Sequence, residues 1–269
     1  MAAFDAWLGS ASILLIGGIL LFSMTVAGLA GRRMRDWPAP EPSDEAHGGY
    51  VVSAVLGLLA LLLGFTFSQA ISRYDTRRGL VIDEANAVGT AWLRAGLLAE
   101  PHRGEIQSVL VRYAENRIAL ARTAPPANKP LLAASDRLLA DYWAAVARAI
   151  PAAREAGLVV PLVNNANDLV DLDAARKASR RAKVPAPVYA VLYVYVVVTA
   201  AILGYVLVGR RGRLSGGVFL ALLALVLLLI LDIDRPTGGT VRENQAPMEA
   251  QLASMRTAPL SAAATAPPP

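Results

Sequence analysis

Residues 53–79 read SAVLGLLALLLGFTFSQAISRYDTRRG. The stretch opens as plain Leu and Ala. It turns polar at Thr66, Ser68, Gln69 and Ser72, and only then gains charge, at Arg73, Asp75, Arg77 and Arg78. The uncharged run begins at Gly48 and ends at Ser72, enough for the roughly 20 apolar residues that span a bilayer as helix. No proline or turn cluster interrupts Ser72 to Leu98, so the spacing predicts one helix that leaves the membrane without a break. Gly57, Leu61, Phe65 and Gln69 repeat every four residues and share a face of that helix. Polar groups inside a span face protein or a water-filled cavity rather than lipid. Two readings of the face stay open. It packs on neighbouring helices, with Gly57 and Gly64 permitting close contact. Alternatively it lines a lumen, with an apolar constriction near Phe65.

Three further runs carry no charge: Ala6 to Gly31, Val184 to Gly209, and Leu214 to Leu231. Only Asp5 precedes the first, so it lacks the basic segment of a secretory signal and reads as a retained span. The composition agrees. Of 269 residues 55% are hydrophobic and 17% charged, below the roughly 25% charge of soluble domains. Mean hydropathy is +0.44. The expected fold is therefore all-α: a polytopic membrane protein of four transmembrane helices in two hairpins, with a helical bundle between spans two and three. Residues 1–72 form the first hairpin, joined through RRMR and WPAPEPSDE, and 73–183 the extramembrane bundle. Residues 184–234 form the second hairpin, closed by GRRGR, and 235–269 a tail, largely disordered, that ends AAATAPPP.

Within the insert, Val81, Ala85, Val88, Trp92 and Ala95 step by four and three, the mark of one buried helical stripe. A second helix starts after Pro101 and carries Ile106, Leu110, Tyr113, Arg117 and Leu120. A third carries Leu132, Leu138, Leu139, Tyr142, Trp143 and Val146. Pro151 and Pro161 are expected to break the chain, and a last helix runs from about Asn167 towards Pro185. No segment alternates long enough to argue a strand.

Several chemistries are excluded or unsupported. The chain has no cysteine, and its histidines are His47 and His102, so thiolate and multi-histidine metal sites are not expected. No phosphate loop, nucleophile elbow or dinucleotide fingerprint appears, and no enzyme activity or cofactor is expected. The net charge of +5 comes from residues flanking membrane ends, which points to anionic lipid head groups rather than nucleic acid. Asp83, Glu84 and Asn86 sit on an otherwise apolar helix. Glu84 is expected to pair with an arginine of a neighbouring helix, because adjacent carboxylates on a helix point apart and make a poor acid–base pair. Asp232, Asp234 and Arg235 close the fourth span. By parity they lie on the same side as Arg73, Arg77 and Arg78, and the six could form an interhelical charge cluster. Near the membrane ends the insert side holds ten basic residues and the short-loop side six, a weak preference for a cytoplasmic insert and termini.

The second span also resembles the bestrophin anion channels. They carry a Leu–Gly–Phe step, here Leu63–Phe65, followed by Arg and an aromatic nine positions after the Gly, here Arg73 and Tyr74. A basic pair follows, here Arg77 and Arg78. More closely, nearly the full chain is similar to the bestrophin-like domain family of bacterial membrane proteins. The marks are EANA at Glu84–Ala87 with WLRA after it, and LDIDRPTGG from Leu231. The resemblance implies a bacterial inner-membrane protein with a cytoplasmic insert, and a homo-oligomer whose second span lines the pore. Its neck residues would fall on Gly57, Leu61 and Phe65, where Gly57 departs from the bulky residue expected. A small anion such as chloride would be the conducted species. The alternative is a non-conducting scaffold or sensor whose insert binds a partner.

Overall fold

The structure is a computed structural model that describes residues 7–9, 11–35, 44–236 and 239–257. Asp5, most of the WPAPEPSDE loop and the AAATAPPP end lie outside them. The described residues are helical, with no strand. In chain order the helices are α1 (Ile13–Arg35), α2 (Asp44–Ala95), α3 (His102–Arg122), α4 (Lys129–Glu155), α5 (Val159–Arg181), α6 (Ala186–Val206), α7 (Gly209–Asp234) and α8 (Ala246–Thr257). Four helices are long and apolar enough to cross a membrane. They are α1, the first part of α2, α6 and α7. Arg32, Arg33 and Arg35 occupy the last turn of α1, where positive charge complements the helix dipole.

The chain divides into two compact units. The first comprises residues 1–74 and 182–242 and contains the spans. Its most extensive packing sets the first span on the third, α1 against α6, and α7 packs on both. Small residues make this possible. A Cβ on Gly31 would overlap the Ala201 carbonyl, and one on Gly204 would overlap the Gly28 carbonyl. Lipid tails are as apolar as leucine, so span association rests on close van der Waals contact, which glycine permits. Around this contact Met24, Leu192, Val196 and Ile230 are fully buried. The second span joins the same core through Leu59, Leu63 and Ala70.

The second unit comprises residues 75–181 and 243–269. The stripe Val81, Ala85, Val88, Trp92 and Ala95 is buried, as are Ile106, Leu110, Tyr113, Arg117 and Leu120 on α3. Leu139, Tyr142 and Val146 of α4 complete the stripe-to-stripe packing, while Trp143 faces outward. Two features differ from expectation. Neither proline breaks the chain: Pro151 sits near the end of α4, and Pro161 lies in the first turn of α5, where a missing N–H costs nothing. The tail is the larger difference. Residues 246–257, expected as part of a largely disordered segment, form α8. Its Met248, Leu252 and Met255 step by four and three and enter the insert's core. Glu115 and Arg122 of α3 pair with its Arg256 and Glu249, the latter at 2.7 Å. Gly89 leaves room for it, since a Cβ there would stand 2.7 Å from the Gln251 amide.

Gly31→Ala is expected to lower the melting temperature of the detergent-solubilised protein, at an overpacking cost of about 1–3 kcal/mol. Gly64→Ala should be neutral or slightly stabilising, because a Cβ there meets nothing within 4 Å. Equal losses in the two melts would refute close approach at Gly31 as the determinant.

Candidate functional site

The helix that carries the second span is amphipathic in a way hydropathy hides. Leu59, Leu63, Thr66 and Ala70 step by four and three and are buried, with Thr66 donating its hydroxyl to the Leu62 carbonyl at 2.7 Å. Gly57, Leu61, Phe65 and Gln69 point elsewhere and are all exposed within the single chain. Phe65 is 64% exposed and Leu61 53%. Nothing lies within 4 Å of a Cβ placed on Gly57 or Gly64, so neither glycine serves close packing inside one chain. The face is thus a continuous strip, apolar through Phe65 and polar at Gln69, with no cover from the chain's own described residues.

The membrane-edge charges organise backbone. Asp234 accepts from the Val184 N–H at 3.0 and 3.1 Å and from the Tyr189 hydroxyl at 3.2 Å, which fixes the start of the third span to the end of the fourth. Asp232 accepts from the Thr240 N–H at 2.9 Å, the Thr240 hydroxyl and the Val241 N–H at 3.1 Å, and so folds the chain back after α7. Gly239 is needed there, because a Cβ would stand 2.7 Å from the Asp232 carbonyl. Arg235 donates to the Leu8 carbonyl. These bonds give the LDIDRPTGG stretch a physical reason: two acids and a glycine that make a turn. Arg73 is half-buried and Arg78 exposed.

In the second unit, Arg77 and Arg180 both bond Glu243, at 3.0 and 3.1 Å. Glu84 is completely buried there. Its carboxylate accepts from the Tyr113 hydroxyl at 2.7 Å, from Arg117 at 3.0 and 3.2 Å, and from Arg176. Arg117 lies over the Tyr113 ring, 5.7 Å from its centroid, and its other end reaches Asp173 at 2.9 Å and Ser135 at 3.3 Å. Asp173 is bonded in turn by Lys177. Two buried acids thus meet two buried guanidiniums, and α2, α3 and α5 are locked in one register. Asp83 and Asn86 face outward. Among the described residues no group of acids and histidines could hold a metal ion.

Sequence reading placed Glu84 but missed Arg176, Asp173 and Glu243. Arg117 carried a signal: a charged residue inside the apolar stripe of α3. Nothing local marks Tyr189 either, whose hydroxyl donates to Asp234, 45 residues away.

A four-span helical membrane protein with a helical insert is the class these features define. The chain belongs to the bestrophin-like domain family, whose sequence profile matches residues 17–248. Its fold is similar to a bacterial bestrophin homologue from Klebsiella pneumoniae. One mutant form of that protein gives a TM-score of 0.66 at 19% identity, over 91% of this chain and 96% of that one. Another gives 0.65 at 18%, over 91% and 99%. The form solved by zinc-based phasing gives 0.61 at 18%, over 91% and 96%. No curated protein matches the chain.

Burial alone would push the Glu84 carboxyl up, but the guanidiniums of Arg117 and Arg176 and the Tyr113 hydroxyl outweigh it and hold it below the usual carboxylate range. A folded value below the unfolded one stabilises fully above the ordinary glutamate range, about pH 4.3, and progressively less as pH falls beneath it. Glu84→Gln is expected to cost about 3–5 kcal/mol at neutral pH, because it leaves Arg176 without a carboxylate and Arg117 with Asp173 alone. The gap in melting temperature between the variant and the parent should narrow below about pH 4. A gap independent of pH would refute ionisation of Glu84 as its source.

Proposed function

We propose that the protein assembles as a homo-oligomer around its second span and conducts small anions, chloride among them. The observation that carries this reading is the exposed strip Gly57, Leu61, Phe65 and Gln69, on a helix whose opposite face is buried. A strip that faced only lipid would have no use for the Gln69 amide at its end. Several copies set around an axis would bring the strips together as a lumen. Phe65 would be its narrowest apolar point, since Gly57 has no side chain and Leu61 is smaller. Arg73 and Arg78, just beyond the C-terminal end of the span, would bring a positive ring to the mouth on that side and raise the local anion concentration there. Membership of the bestrophin-like domain family supports the same arrangement.

Purified protein in detergent should have the mass of several chains, and the mass of a single chain would refute the assembly. Reconstituted in liposomes it should pass chloride, with Phe65→Ala raising the flux several-fold and Phe65→Trp lowering it, as an apolar constriction requires. Absence of flux from folded samples of both parent and Phe65→Ala would leave the non-conducting scaffold standing.

The orientation belongs to the same proposal: a bacterial inner-membrane protein with the insert and both termini in the cytoplasm. The ten-to-six count of basic residues supports it. A reporter active only in the cytoplasm, fused after Pro269, should be active. Activity from an insertion at Pro40 instead would reverse the topology.

A further inference from the structure

At the C-terminal ends of α1 and α6 and the start of α7 lies an open cavity of about 540 Å³. Gly204, Gly212 and Gly217 line it, and a Cβ on Gly217 would meet nothing within 4 Å. The connection from α6 to α7 is only Leu207 and Val208, closed by Gly209 at φ +71°.

The cavity has two chemistries. Arg32 and Arg35, three apart and so on one face of α1, line it together with Arg213 of α7. Among the described residues no carboxylate lines it, and none of the three guanidiniums is ion-paired. Arg213 donates its Nε–H to the Gly209 carbonyl at 3.1 Å. The first turn of α7 also lines the space, and its backbone N–H groups have no intrahelical acceptors, which adds a partial positive charge. Three like charges around one space repel, and an anion between them offsets that repulsion. Deeper in, Met24, Leu203 and Leu220 make an apolar floor.

We propose that this cavity binds an anionic phospholipid. Its phosphodiester sits among Arg32, Arg35, Arg213 and the α7 first turn, and one acyl chain lies along Met24, Leu203 and Leu220. A free phosphate offers the same head-group chemistry but leaves the apolar floor unused. The cavity lies where three spans end, at the depth of lipid head groups. The site is separate from the second-span face, so its test reads independently of conduction.

The full-length protein, delipidated in detergent, is titrated with phosphatidylglycerol and with phosphatidylcholine while its melting temperature is followed. Phosphatidylglycerol should raise the melting temperature with the logarithm of its concentration, and phosphatidylcholine should not. Arg32→Gln, Arg35→Gln and Arg213→Gln combined should weaken binding about 100-fold, at ~1 kcal/mol for each basic residue. Arg210→Gln with Arg211→Gln, next to the site but not lining it, should leave binding within a few-fold. Gly217→Leu should fill the cavity, keep the lipid-free melting temperature and abolish the phosphatidylglycerol effect. It provides the reading if the triple variant fails to fold. Equal shifts from both lipids, equal loss in the control pair, or unchanged binding by Gly217→Leu would each overturn the site. Reproduction of the shift by inorganic phosphate or glycerol 3-phosphate alone would overturn the lipid in favour of a free anion.

Discussion

A carboxylate shut away from water has few ways to remain stable, and Glu84 uses all of them at once: two guanidiniums, a phenol and a fixed geometry. Because Arg117 comes from α3 and Arg176 from α5, satisfying that one acid sets the register of three helices. The hydrophobic stripes of the insert would tolerate sliding by a turn, since leucine and alanine pack on one another in many ways. The ion network does not, because a slip by one turn would leave buried charges unmet. Apolar burial supplies the driving force in this unit, and the network selects which arrangement it drives towards.

The spans solve the matching problem with the opposite chemistry. Nothing charged defines the contact of α1 with α6. What defines it is the absence of side chains at Gly28, Gly31 and Gly204, which lets backbone meet backbone. The second span contributes one face to that core and leaves its other face uncovered, so the same helix is both scaffold and candidate lumen.

Much of this was legible in sequence, for physical reasons that differ from place to place. The four apolar runs could be read because bilayer thickness imposes a length, and the long α2 because nothing in 73–95 can stop a helix. The stripes on α2 and α3 showed in their spacing. The partners of Glu84 did not, because Arg176 lies 92 residues away and no local pattern links them. The glycines that matter in the spans were also misplaced. Gly57 and Gly64 drew attention by their interval, yet Gly31 and Gly204 are the ones against carbonyls, a fact that depends on which helices meet. The α8 helix was hidden by its neighbourhood. Its three apolar residues are too few to stand out beside a low-complexity end, and they form a helix only with a core to enter.

The position of α8 has a consequence for how the protein is made. Chains fold as they emerge, first segments first. Here Met248, Leu252 and Met255 fill the core of a unit whose other parts precede the third and fourth spans, and Glu243 meets Arg77 from 166 residues away. The ribosome must therefore deliver both remaining spans before the insert can close. Until then the nascent chain holds an open apolar seam, exposed to whatever chaperones attend it. A chain cut short before α8 keeps that seam for good, which gives quality control a simple signal for an incomplete product.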